Sequence, residues 1–212
     1  MNYRPVLISV VFLFLFAVVG TALVAYTHDN TAGRIADNQR RALLRSLNEL
    51  VPHDAYNNDI YSDIVYVRNR DLLGTNEPVA VYRARKDGWP VAAVFASVAP
   101  DGYNGNIRLL VAVGLDGTLA GVRVLAHRET PGLGDAIEAE RSDWILGFAG
   151  KSLTGPPAER WKVKRDGGVF DQFTGATITP RAVVKAVKNT LLYYRAVGNK
   201  LFEEHPHTAN ES

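Results

Sequence analysis

The 212-residue sequence predicts an α+β fold, an antiparallel sheet with packed helices, preceded by one N-terminal transmembrane helix. Three observations predict it. Residues 6–26 form an apolar run free of charge, and the middle of the chain carries β-branched and aromatic stretches separated by Asp-Gly turns. Helical periodicity then returns towards the end of the chain. The order helix, strands, helix, short strands, helix places helices against one face of a curved sheet.

Of the 21 residues from 6 to 26, 18 are apolar, and only Ser9, Gly20 and Thr21 interrupt them. At about 1.5 Å per residue this helix is about 30 Å long, the thickness of a hydrocarbon core. A cleaved signal peptide has a shorter apolar region, about 7–15 residues, before a small-x-small site. Here the run is longer and no Ala-x-Ala follows. Arg4 precedes the span, whereas His28, Asp29 and Asn30 follow it without a nearby lysine. The positive-inside rule therefore puts residues 1–5 in the cytoplasm and the remainder of the chain outside it.

Residues 35–51 read as an amphipathic helix, with Ile35, Ala36, Leu43, Leu44, Leu47, Leu50 and Val51 at helical spacing and Pro52 as its stop. Arg40, Arg41 and Arg45 lie mostly off that stripe, either on a solvated face or against anionic headgroups. Strands follow at Ile64–Val67, 79–85 and 91–98, the last two joined by Lys86-Asp87-Gly88-Trp89. A second hairpin joins 106–114 to 118–126 through Leu115-Asp116-Gly117. A helix is predicted over 136–148, and a last one from Pro180 with Val183, Val184, Val187, Leu191 and Tyr194 on one side.

Composition limits the chemistry. Lysine plus arginine number 24 against 22 acidic residues, a balance that argues against nucleic acid as a partner. The absence of cysteine excludes disulfides, cysteine-held zinc, iron–sulfur clusters and thiol catalysis. His205 and His207 belong to a polar tail and are assigned no metal, and His127 reads as a surface residue at a strand end.

Two segments carry candidate chemistry. In Glu129-Thr130-Pro131-Gly132-Leu133-Gly134-Asp135, a proline and two glycines fix an unusual backbone path before a helix. Such a bend either presents amides to a ligand or is a plain turn capped by Asp135. In Asp171-Gln172-Phe173-Thr174-Gly175-Ala176-Thr177-Ile178-Thr179-Pro180, Thr179 and Pro180 form an N-cap and N1 pair. Thr177 would then stand just before a helix N-terminus that favours anions, with Arg181 and Lys185 able to add positive charge. The alternative is a glycine-containing loop capped by a threonine.

The second segment resembles the Asp-x-x-(Ser/Thr)-Gly-Ala-(Thr/Ser) signature of FMN-binding domains that receive flavin through a phosphoester bond, here as Asp171, Thr174, Gly175, Ala176 and Thr177. His127-Arg128-Glu129-Thr130-Pro131-Gly132-Leu133-Gly134 resembles the other hallmark of that family. Residues 38–194 as a whole resemble the family of G subunits of the Rnf/Rsx ion-translocating electron transport complex, and more distantly the C subunit of the sodium-pumping NADH:quinone reductase. Ala99-Pro100-Asp101-Gly102-Tyr103 and Asp166-Gly167-Gly168 share in the likeness, while the apolar span matches in position and hydropathy only.

The resemblance implies one covalent FMN per chain, attached to Thr177 by a separate flavin transferase that uses FAD. Thr174 and Thr179 are hydroxyl neighbours of that threonine. It also implies that Glu129, Thr130 and Leu133 line the isoalloxazine, with Tyr103 and Trp144 either ring neighbours or core. The implied partners are the other subunits of the Rnf/Rsx complex and the membrane, and catalysis belongs to the assembly. The implied place is the bacterial cell inner membrane, single-pass, with the flavin domain on the periplasmic side. The domains read as a cytoplasmic N-terminus 1–5, a span 6–26, a helical linker 27–60, an FMN-binding domain 61–202 and a polar tail 203–212. Two other readings stay open: an unmodified assembly scaffold, which predicts a damaged signature, and a sensory domain, which predicts further spans or signalling modules.

Overall fold

The computed structural model describes residues 3–203, so His205, His207 and the rest of the polar tail lie outside the described residues. The chain divides into two units, Met1–Leu44 and Arg45–Ser212. Helix α1 (Arg4–Leu50) merges the expected span and the expected amphipathic helix into one element. No proline interrupts residues 27–34. Thr27 and Thr31 hydroxyls donate to the carbonyls of Leu23 and Thr27, at 2.8 and 2.7 Å, and Asn30 Nδ2 donates to Tyr26 O at 3.1 Å. These i−4 bonds satisfy polar side chains without breaking the helical ladder. Pro52, which cannot continue a helix, follows its end. Among the described residues, α1 is the one helix long and apolar enough to cross a membrane, and the large apolar side chains between Val6 and Tyr26 are exposed.

In the second unit, strands β1 (Ile64–Val67), β2 (Val79–Lys86), β3 (Trp89–Gly102), β4 (Gly105–Gly114) and β5 (Leu119–Ala126) form one antiparallel meander in the order β1-β2-β3-β4-β5. A single-turn helix α2 (Arg70–Leu73) sits between β1 and β2. Asp87 and Gly88 both have positive φ, 52° and 82°, which makes the β2–β3 connection the type I′ hairpin expected of Asp-Gly. Helix α3 (Ile178–Val197) packs on β3, and Val81, Phe95, Leu109, Val111, Val183, Val187 and Leu191 are all buried between sheet and helix. One polar pair bridges them. Thr190 Oγ1 donates to Ala186 O at 2.9 Å, so the Ser97 hydroxyl donates to Thr190 Oγ1 at 2.7 Å. The other face is not bare. Leu50 lies against Gly121 of β5, where a Cβ would come within 2.9 Å of its Cδ2, and Arg123 pairs with Glu49 at 2.9 Å.

The helix predicted over 136–148 is two 3-10 turns, Gly134–Ile137 and Asp143–Phe148. Glu138 is extended and ends the first turn. The Ser142 hydroxyl donates to Ala136 O at 2.6 Å and caps the second by accepting from Trp144 N–H. Hydroxyl capping in mid-segment competes with a continuous helix and prevails here. Through residues 134–176, aromatic packing joins short backbone turns and isolated bridges in holding the shape. Phe148 stacks on Phe170 at 4.7 Å, Trp161 lies 5.0 Å from Phe170, and Trp144 meets Phe173 edge-on at 5.1 Å. Aromatic pairs of this kind contribute roughly 0.5–1.5 kcal/mol each beyond burial, enough to position a loop without a strand ladder.

Candidate functional site

The two segments singled out in the sequence form opposite walls of one cavity. It measures about 350 Å³ and is lined by Tyr103, by Glu129, Thr130, Leu133 and Gly134, and by residues 175–179. Each wall is a glycine turn. Leu133 N–H donates to Thr130 O at 3.1 Å, with Pro131 in the second position of the turn and Gly132 at φ 78° in the third. Ala176 N–H donates to Phe173 O at 3.2 Å, with Gly175 at φ 81°. Both are type II turns, whose third position needs a positive φ that side chains with a Cβ rarely adopt. Gly134 serves differently: a Cβ there would stand 2.8 Å from Glu129 Cβ and 2.9 Å from Thr179 Oγ1. Only a bare backbone lets the first turn close on α3.

Glu129 joins the walls. Its side chain is buried, and its carboxylate accepts from Asn104 N–H at 3.0 Å, from Tyr103 N–H at 3.3 Å and from the Thr179 hydroxyl. The β3–β4 turn, the end of β5 and the first turn of α3 thus converge on one carboxylate. Asn104 Nδ2 also donates to Thr130 Oγ1 at 3.3 Å. Behind Glu129, its own N–H donates to His127 Nδ1 at 3.0 Å, and His127 Nε2 faces Glu138 Oε1 at 2.9 Å. His127 is therefore part of the support of this loop, with only a tenth of its side chain exposed.

Helix α3 begins at Ile178 with Thr177 as its N-cap, two residues earlier than the Thr-Pro pair suggests. Thr179 lies inside the first turn, buried, and its hydroxyl serves Glu129 instead of capping the helix. Thr177, itself partly buried, makes no side-chain cap bond either, and among the described residues no hydrogen bond engages its hydroxyl. Thr177 lines the cavity at the positive end of a 20-residue helix.

Six of the eight candidate residues line the cavity: Thr177, Gly175, Ala176, Glu129, Thr130 and Leu133. Asp171 and Thr174 do not. Asp171 pairs with Lys164 at 2.5 Å and its carbonyl accepts from Trp144 Nε1 at 2.8 Å, so it holds the loop from behind. Of the two aromatic candidates Tyr103 lines the cavity, whereas Trp144 braces Phe148 and Phe173. Arg181 and Lys185 add no charge to the cavity wall. Arg181 grips Asp166 through two bonds of 2.6 Å, and Lys185 pairs with Asp101 at 2.5 Å. The Arg181 guanidinium beside Asp166 holds that carboxyl below its usual range. Ile178 was not foreseen. Its place directly after the signature threonine was the available signal, and it stands nearly half-exposed on the rim.

Comparison with known proteins covers both units. The FMN-binding domain family matches residues 102–192, and the RnfG N-terminal region matches residues 1–50. The chain is 51% identical over 190 residues to the G subunit of an ion-translocating oxidoreductase complex of Pseudoalteromonas atlantica, covering 90% of this chain and 88% of that protein. The protein of the same name from Shewanella amazonensis is 51% identical, with 85% and 84% covered. That of Vibrio atlanticus is 50% identical, with 85% and 86% covered. All the cavity-lining residues fall within the FMN-binding match.

Proposed function

The chain belongs to the family of G subunits of ion-translocating oxidoreductase complexes, and we propose that it is the flavoprotein component of such a complex, carrying FMN on Thr177 through a phosphoester. One observation carries this reading. Thr177 lines a cavity that both hallmark segments build, and among the described residues no hydrogen bond engages its hydroxyl. Small-molecule sites of about 300–1,000 Å³ combine apolar walls with a few fixed polar groups, and this cavity offers the same mixture.

The residues present fit the group. Leu133, Tyr103 and Ile178 supply apolar surface for a planar ring, Thr130 and the turn amides supply polar edges, and the α3 N-terminus favours a phosphate ester beside Thr177. When bound, FMN supplies the redox chemistry, and the protein supplies position and electrostatics. Attachment would join Thr177 Oγ1 to the flavin phosphorus as the pyrophosphate bond of FAD breaks, with AMP as the leaving group and the hydroxyl proton passing to a base on the flavin transferase. The tether keeps the cofactor in a compartment that lacks a free supply.

In this reading residues 6–26 anchor the chain in the bacterial inner membrane, and the FMN-binding domain works on the periplasmic side. It passes electrons between redox subunits of the complex. The test is co-production with a flavin transferase followed by ultraviolet illumination of a denaturing gel. The wild-type band should fluoresce, and Thr177→Ala should lose more than nine-tenths of the signal while melting like wild type. A dark wild-type band beside an active transferase would overturn the reading, and signal retained in Thr177→Ala would move the attachment to Thr174 or Thr179.

A further inference from the structure

The cavity contains one formal charge. Of the ten residues lining it, nine are neutral and the tenth is Glu129. The two backbone N–H groups on its oxygens can only donate, and with the Thr179 hydroxyl they form the set of bonds that an ionised carboxylate accepts. The neighbouring imidazole is turned away from the carboxylate: His127 Nδ1 accepts the Glu129 N–H, and its Nε2 faces Glu138 Oε1. The nearest cations of α3 are committed elsewhere, Arg181 to Asp166 and Lys185 to Asp101.

We propose that Glu129 sets the electrical character of the site: a buried negative charge, fixed by Tyr103 N–H, Asn104 N–H and the Thr179 hydroxyl, that opposes added negative charge in the cavity and so lowers the reduction potential of bound FMN. The proposal rests on the flavoprotein reading. Its physical basis is that a charge shielded from water acts strongly over a few ångströms, whereas an exposed one is screened. Glu129 raises the energy of the electron-loaded site unless a proton accompanies each electron. Thr179 acts through Glu129 and is a positioning residue; its hydroxyl disperses part of the charge.

The two residues therefore predict opposite shifts. Glu129→Gln keeps the shape and removes the charge, and the potential should move positive. Thr179→Val keeps the charge and removes one of its donors, and the potential should move negative. The experiment is an optical redox titration of the FMN-loaded full chain in detergent, with loading read by gel fluorescence. A purely structural role would move both variants in the same direction, and that result, or no shift in either, would overturn the proposal. If Glu129→Gln fails to load, Thr179→Val decides alone: a negative shift supports the proposal and any other result overturns it. An absence of flavin in the wild type brings down the flavoprotein reading and this proposal with it, whereas loaded protein without the opposed shifts brings down this proposal alone.

Discussion

Two cavities of nearly equal volume, about 350 and 380 Å³, lie towards opposite ends of α3, and they are built on opposite principles. The first, at the helix N-terminus, is held by bonds between distant segments: Glu129 reaches 25 and 26 residues back to Asn104 and Tyr103, and 50 residues forward to Thr179. The second lies between the β4–β5 turn, residues 152–154 and the end of α3, and most of its polar groups are satisfied within their own turns. Asp116 accepts from the N–H and hydroxyl of Thr118, both at 2.9 Å, and Ser152 Oγ accepts from Gly155 N–H at 3.1 Å. Its Tyr194 hydroxyl is buried with no partner among the described residues. Volume does not distinguish them. Convergence of distant polar groups on one point does, because each such bond had to be worth more than the ordering it required.

The largest expected effect tests the closeness of the first cavity's walls. Gly134→Ala forces a methyl group against Glu129 Cβ and the Thr179 hydroxyl. Overpacking of this kind costs about 1–3 kcal/mol, and the variant should also lose most of its FMN loading. Urea denaturation together with gel fluorescence measures both. Full loading at wild-type stability would mean that the walls do not need the contact, and the contrast between the cavities would lose its basis.

The second cavity predicts a smaller effect of opposite sign. Tyr194→Phe removes a buried hydroxyl that is without a protein partner and should stabilise the domain by up to about 1 kcal/mol, since an unsatisfied buried donor is itself a cost. Burial, and after it the Asp116 carboxylate, push the Tyr194 phenol above its usual range, so it remains a neutral donor at neutral pH. Scanning calorimetry reads the change. A loss of stability would instead reveal a bound water or ligand on that hydroxyl and make the second cavity a site in its own right.

The same contrast explains how much could be read from the sequence. What depends on neighbours in the chain was legible: the apolar span, the β-meander, the Asp87-Gly88 turn and the two glycine turns of the cavity. What depends on distant contacts was not. Thr179 before Pro180 has the local form of a helix cap, and nothing nearby announces that a carboxylate 50 residues upstream takes its hydroxyl. Arg181 and Lys185 stand where a phosphate would want them, yet Asp166 and Asp101 engage both. The apolar spacing over 136–148 fits a helix, but Ser142 and the aromatic rings around Phe148 stabilise two short turns instead.

The smallest effect lies at acid pH and tests whether charge at the second cavity is purely local. The backbone N–H of Thr118, then its hydroxyl, hold the Asp116 carboxyl below its ordinary 3.8. A carboxyl depressed in the folded state stabilises it above the unfolded value, and that contribution is lost as pH falls through the folded value. Because Asp116 is solvent-exposed, the contribution is small and screened by salt. Asp116→Asn should therefore melt slightly below wild type at neutral pH, and the gap should close below about pH 4, near the reference carboxylate value. FMN loading should stay at the wild-type level throughout, because no bond of Asp116 reaches the first cavity. A drop in loading would show that the two ends of α3 are coupled, and the separation of one cavity as site and the other as packing space would have to be abandoned.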